Sequence, residues 1–114
     1  MGKQQYDLAE RLLDYSYNIY QYCVNKKFNP FLTTYRSQLA KSSSSIGANY
    51  AEANSSHTRK DFRVKISIAK KEAQESLYWL KLIQKITADR EAIGLISETY
   101  ELVRILHTIH KNSR

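Results

Sequence analysis

The feature that most constrains this fold is a helical spacing of apolar residues that recurs in four separate segments. In the first segment, at about residues 4–26, apolar side chains alternate between spacings of four and three, which marks one face of an α-helix. This face consists of Leu8, Leu12, Tyr15, Ile19 and Tyr22, and it is widened by Ala9, Leu13, Tyr20 and Cys23. Short polar breaks separate the segments, so the sequence predicts an all-α, antiparallel, up-down-up-down four-helix bundle. A chain of 114 residues is expected to form one domain, residues 1–114.

Local signals place the ends of the middle helices. Asn29 followed by Pro30 suits an N-cap and a first helical position, so the second helix is predicted from there to about Asn54. Thr58 and Asp61 have the spacing of a capping box, which predicts a third helix running to about residue 86. A polar turn at residues 87–91 precedes the fourth helix, which is expected to end near residue 110. Either Thr87 or Asp89 is expected to cap it.

Each remaining helix has a predicted inner face. The second helix is expected to bury Leu32, Tyr35, Leu39, Ile46 and Ala53, with Ser42 and Asn49 between them. The third is expected to bury Phe62, Ile66, Ala69, Ala73, Ser76, Leu80 and Ile83, and the fourth Ile93, Ile96, Tyr100, Val103, Leu106 and His110. The third helix has a second apolar stripe, formed by Val64, Ile68, Trp79 and Leu82. This stripe predicts an oligomer interface, and the alternative is a deeply placed helix.

Positive charge is concentrated in the middle of the chain. The formal net charge is +7, and residues 26–71 hold ten Lys or Arg side chains against Glu52 and Asp61. This asymmetry favours a polyanionic partner, and the alternative is a soluble protein that happens to be basic. The candidate nucleic-acid-binding residues are Arg36, Lys41, Arg59, Lys60, Arg63, Lys70 and Lys71. At ideal helical geometry Arg59, Arg63 and Lys70 fall within an arc of about 40°.

Signals for catalysis, metals and membranes are absent from the sequence. A Gly-x-Ser-x-Gly elbow is missing, and one cysteine with scattered histidines does not indicate a nucleophilic dyad. Neither Glu-x-x-His pair of a di-metal bundle is present, so no enzyme activity, metal or cofactor is expected. There is no apolar run of membrane-spanning length and no signal-peptide core, so a cytoplasmic location is expected.

The middle of the chain contains a series of motifs that resembles a known family. The matching positions are Ser45, Ile46, Ala48, Asn49, Ala51, Glu52, Ala53, Lys60, Asp61, Phe62, Ser67, Ile68, Ala69, Glu72, Ala73, Glu75, Tyr78, Trp79 and Leu80. They resemble the bacterial four-helix-bundle proteins named after intervening sequences in 23S ribosomal RNA genes. The last 15 residues, YELVRILHTIHKNSR, are also similar to the last helix of that family. The loop at residues 87–90 departs from the glycine-containing form of these proteins.

The resemblance implies a non-enzymatic bundle that assembles as a homo-oligomer, often a ring-shaped homopentamer. Related proteins, the accessory variability determinants of diversity-generating retroelements, bind a reverse transcriptase and nucleic acid through a basic surface. Two function classes therefore remain open for this chain. One is an accessory protein that binds RNA or DNA and assists a reverse transcriptase. The other is a structural or protein-interaction bundle whose basic surface serves solubility or an acidic protein partner.

Overall fold

A computed structural model describes residues 7–27 and 29–113, which form four α-helices. The helices are α1 (Leu8–Val24), α2 (Pro30–Asn54), α3 (Arg59–Thr87) and α4 (Glu91–Asn112). They form an antiparallel four-helix bundle, which confirms the predicted fold class. The predicted start of the first helix, at residues 4–6, lies outside the described residues.

The caps of α2 and α3 are those that the sequence predicts. The Asn29 side chain accepts hydrogen bonds from the amides of Phe31 and Leu32 at 3.0 and 3.2 Å. Thr58 Oγ1 accepts a hydrogen bond from the Asp61 amide at 3.0 Å. These bonds satisfy amides that the first turn of a helix leaves without an intrahelical partner.

The turn between α3 and α4 is built without glycine. Ala88, the residue after α3, has φ 55° and ψ 26°, which is the left-handed conformation that usually selects glycine at this position. Its amide donates to the Gln84 carbonyl at 2.7 Å and closes the last turn of α3. The N-cap residue of α4 is Arg90, whose side chain makes no capping bond. The preceding Asp89 accepts from the Glu91 amide at 3.0 Å, so this predicted residue caps α4 from one position further back.

Packing and polar contacts fix the order of helices around the bundle. α2 packs against α1 and α3, and α3 packs against α4. The ring is closed between α1 and α4, where the Tyr15 hydroxyl lies 2.7 Å from Thr99 Oγ1 and Arg11 pairs with Glu98 at 2.7 Å. Small side chains line α2 where it crosses α1, and a Cβ on Gly47 would lie 3.5 Å from the Cβ of Leu12.

The inner faces of α1, α2 and α3 agree largely with the predictions. All four buried residues of α1 lie on its predicted face, and α3 buries six of the seven predicted residues. Phe62 is half-buried instead of buried, because it lies in the first turn of α3, at one end of the bundle. On α2, Leu39, Ser42, Ile46 and Ala53 are buried as predicted, and Leu32, Tyr35 and Asn49 are half-buried.

The predicted inner face of α4 is correct at Leu106 and wrong at Ile93 and Tyr100, while Ile96, Val103 and His110 are half-buried. The helix buries Ala92, Thr99, Leu102 and Leu106, whereas Ile93 is 54% exposed and Tyr100 is 50% exposed. The face of α4 that is buried depends on how closely α4 approaches the neighbouring helices, because Ala92 and Thr99 are small enough to pack at the centre of the bundle. The predicted widening of the α1 face is also wrong at Ala9, Leu13 and Tyr20, which are exposed, whereas Cys23 is half-buried.

Candidate nucleic-acid interface

The basic face of the bundle is formed by Arg59, Lys60, Arg63, Lys70 and Lys71, all on the first half of α3. It lies on the side of α3 that borders α4, because Lys70 Nζ donates a hydrogen bond to His107 Nδ1 at 2.9 Å. Lys65 points to the other side, where it pairs with Glu52 of α2 at 2.5 Å. The predicted arc of Arg59, Arg63 and Lys70 therefore lies on the side of α3 that borders α4.

A shallow depression lies within this basic face. Lys60, Arg63, Ser67 and His110 line it together with the apolar side chains of Val64 and Ile68. The Nε of Arg63 is buried and has no hydrogen-bond partner among the residues that the structure describes. Part of the hydrogen-bonding capacity of this guanidinium is therefore unused within the subunit. The guanidinium of an arginine is suited to phosphate oxygens because it is a fixed positive charge with several donors.

Two histidines of α4 extend the basic face, and the sequence reasoning missed them. His107 contacts Lys70, and His110 lies beside Lys60 and Arg63. Antiparallel packing causes this, because it places the last turns of α4 next to the first turns of α3. The signal that could have found them is their i, i+3 spacing near the C-terminus of the helix, read together with the predicted topology.

The two predicted cations on α2 lie apart from the basic face. Lys41 is exposed in the middle of α2. Arg36 lies near the other end of the bundle, where its Nη1 donates to the Lys27 carbonyl at 2.8 Å. The carbonyl of Arg36 accepts a contact from Cys23 Sγ at 3.8 Å, and burial raises the pKa of that thiol. Arg36 thus helps to join α2 to the end of α1.

Other cations of the basic segment are neutralised by ion pairs. Lys26 is held between Asp89 at 2.8 Å and Glu91 at 2.6 Å, and hydrogen bonds to these carboxylates raise the pKa of its ammonium. Burial, and then the charge of Asp89, raise the pKa of the neighbouring Tyr22 to about 12. Lys26 and Lys65 are thus paired with carboxylates, and five of the other eight cations of residues 26–71 lie on the basic face.

The second apolar stripe of α3 is divided between internal packing and solvent. Trp79 is half-buried, stacks on Tyr35 of α2 with ring centroids 5.8 Å apart, and donates from Nε1 to Glu75 at 3.0 Å. Ile68 and Leu82 are half-buried, whereas Val64 is 49% exposed. Trp79 therefore contributes to contact between α2 and α3, while Val64 is available for contact with another molecule.

The residues that the structure describes contain no group of three or more His, Cys, Asp or Glu side chains arranged to hold a metal ion. Among the same residues, no helix has an apolar window long enough to cross a membrane.

This chain is similar in sequence to one protein family and in fold to a solved structure. The family profile described as 23S rRNA-intervening sequence protein matches residues 4–108. A crystal structure of a protein with unknown function from the S23 ribosomal protein family of Bacteroides thetaiotaomicron is similar, with a TM-score of 0.80 and 31% sequence identity. The similarity covers 92% of this chain and 99% of the Bacteroides chain. No protein with a curated description matches.

Proposed function

This chain belongs to the 23S rRNA-intervening sequence protein family, and from that premise we propose that it is a non-enzymatic accessory protein that binds RNA or DNA. The whole chain, residues 1–114, acts as one domain in the cytoplasm, and several copies assemble into a homo-oligomer. A homopentamer is the assembly that the resemblance to the family implies. A reverse transcriptase as protein partner rests on that resemblance alone.

One observation carries the proposal. Five cations on one side of α3 border two histidines of α4, and Lys70 Nζ lies 2.9 Å from His107 Nδ1 across that border. Asp61 is the one acid among residues 59–71, so the local field is strongly positive. A strand of nucleic acid carries a regular series of phosphates, which such a row of cations attracts without reading the base sequence. Repeating the row in every subunit raises avidity without new kinds of contact.

The direct test is a fluorescence-anisotropy titration of structured RNA and of duplex DNA at several salt concentrations. Binding should weaken steeply as salt rises, because phosphate contacts release counterions. The variant Arg59→Glu/Arg63→Glu/Lys70→Glu should lose binding while its helix content and oligomer mass stay unchanged. For a single neutralised contact, the slope of log affinity against log salt should fall by roughly one unit.

A matched control variant separates the basic face from net charge. Lys27→Glu/Arg90→Glu makes the same change of charge as Arg59→Glu/Arg63→Glu, at exposed positions near the other end of the bundle. This control should keep most of the wild-type affinity. Equal loss in both double variants would mean that overall charge, and not the basic face, drives binding. Wild-type protein that binds neither nucleic acid at low salt would contradict the proposal.

A second candidate function is a bundle that acts through protein contacts alone. The observation in its favour is a row of exposed apolar side chains on α1, a helix that carries none of the basic face. In this case the basic face would serve solubility or bind an acidic protein. The location of the gene distinguishes the partners, since a neighbouring reverse transcriptase gene would favour the accessory role.

A further inference from the structure

The outer side of α1 carries a continuous row of large apolar side chains. Leu13, Tyr17, Tyr20 and Val24 follow spacings of four, three and four, so they form one narrow line along the helix. Their exposed fractions are 66, 60, 57 and 52%. We call these four residues the α1 seam.

The bundle itself does not use the α1 seam. The core needs one face of α1, and Leu12, Tyr15, Ile19 and Tyr22 supply it with at most 5% of any of them exposed. A surface helix of a globular protein normally presents polar residues on its other side. A repeat of alternating threes and fours on that side is the pattern by which one helix packs against another. The seam is therefore suited to contact with a further helix.

The outer side of α3 has a complementary surface. Val64, Tyr78 and Ile86 are 49, 60 and 53% exposed, and the half-buried Ile68 and Leu82 lie between them. We call these five residues the outer α3 face. It extends over 23 residues of helix, or about 33 Å, and the α1 seam extends over about 17 Å. The seam is short enough to lie within the outer α3 face.

Charges beside the two surfaces have opposite signs. Glu10 and Asp14 are exposed beside the α1 seam. Lys60, Lys71 and Lys85 are exposed along the outer α3 face, with Glu75 as the acid among them. Contact between the first half of an α1 seam and an outer α3 face brings acids near lysines. Contact between two outer α3 faces brings lysines together, which is unfavourable.

We propose that the α1 seam of one copy packs against the outer α3 face of a second copy of this chain. The proposal rests on the homo-oligomer proposed above and specifies which surfaces form it. An interface between two different surfaces is heterologous, so an open assembly keeps an unused seam on the copy at one end and an unused outer α3 face on the copy at the other end. Further copies add at those ends until a ring closes.

The test uses two variants that each lose one surface. The seam variant is Leu13→Lys/Tyr20→Lys, and the α3 variant is Val64→Lys/Tyr78→Lys. Lysine is used in both so that the two altered surfaces repel each other. Each variant alone should be a monomer of 13.3 kDa, measured by sedimentation equilibrium. An equimolar mixture should give a species of twice that mass, because the seam variant keeps an intact outer α3 face and the α3 variant keeps an intact seam.

Each other outcome overturns part of the scheme. A monomeric wild type overturns the proposed assembly together with this inference. If the wild type is oligomeric, the inference alone is overturned by a seam variant of wild-type mass, by an α3 variant that dimerises by itself through two seams, or by a mixture that stays monomeric. Circular dichroism should show unchanged helix content, since each of the four substituted residues is at least 49% exposed. Serine at the same positions replaces lysine for any variant that does not fold.

Discussion

The hydroxyl oxygens of Ser42 and Ser76 lie 2.7 Å apart in the buried contact between α2 and α3. Ser42 also donates to the Leu39 carbonyl at 3.3 Å, so Ser76 donates to Ser42. A second buried pair, Tyr15 and Thr99, joins α1 to α4 at the same distance. Thr99 donates to the Leu95 carbonyl at 2.6 Å, and Tyr15 completes the chain as donor. Each pair satisfies polar groups that water does not reach.

Removing one hydroxyl of the serine pair should destabilise the bundle. In Ser76→Ala, the Ser42 oxygen loses its donor in a buried position, which should lower the free energy of unfolding by about 1–3 kcal/mol. In the double variant Ser42→Ala/Ser76→Ala neither hydroxyl remains, so its loss should be smaller than the sum of the two single losses. Urea denaturation of the four proteins gives the comparison. Strictly additive losses would contradict a direct bond.

Glycine at position 88 should stabilise the turn between α3 and α4. Ala88 has a left-handed backbone conformation that costs a residue with a Cβ roughly 1 kcal/mol, and glycine adopts it without that cost. Ala88→Gly should therefore raise the free energy of unfolding by up to about 1 kcal/mol. Thermal and urea unfolding provide the measurement. A destabilised variant would mean that the turn has another conformation in solution.

The reverse exchange should stabilise α4. Gly94 lies in the first turns of α4, and within the described part of the chain a Cβ built there would meet no atom within 4 Å. Gly94→Ala should raise the free energy of unfolding by about 0.5–1 kcal/mol, because alanine has the higher helix propensity. The same unfolding experiments test it. Since Ala88 and Gly94 lie in different elements, the two gains should add in a double variant.

Acid should weaken the contact between α1 and the turn before α4. Hydrogen bonds from the Lys26 ammonium and the Glu91 amide hold the pKa of Asp89 below its ordinary value. A carboxyl whose pKa is lowered by folding contributes stability above its unfolded pKa, and loses that contribution as the pH falls through its folded pKa. The loss should therefore occur below about pH 4. Asp89→Asn should flatten this part of the stability curve, and an unchanged acid profile would contradict the role of Asp89.

Local chemistry explains which parts of the fold the sequence predicts well. Asn29 with Pro30 and Thr58 with Asp61 act within one helical turn, so the starts of α2 and α3 agree with prediction. The faces of α1 and α4 depend on which of two apolar rows meets the other helices. On α1 both rows have the same spacing, so Leu13 and Tyr20 were indistinguishable from a widening of the inner face. Periodicity alone does not give the direction of such a row.

In the candidate site, too, local sequence predicts what lies within one helix but not what depends on the packing of two helices. The arc of Arg59, Arg63 and Lys70 follows from helical geometry within one element, and Lys65 falls outside it as that geometry requires. The contributions of His107 and His110 depend on the packing of α4 against α3, which no spacing within α4 specifies. The separation of Arg36 from these residues likewise depends on its place along the bundle.

The Ser42–Ser76 contact also limits the ways in which the chain can misfold. α2 and α3 carry rows of similar small and apolar side chains, so a hairpin displaced by one helical turn would still bury hydrocarbon. Such a displacement would separate the two hydroxyls by about 5 Å and leave the donor of Ser76 facing an apolar environment. The displaced alignments of α2 and α3 are therefore higher in energy than the native alignment. This larger energy difference favours one arrangement of two helices whose sequences would allow several.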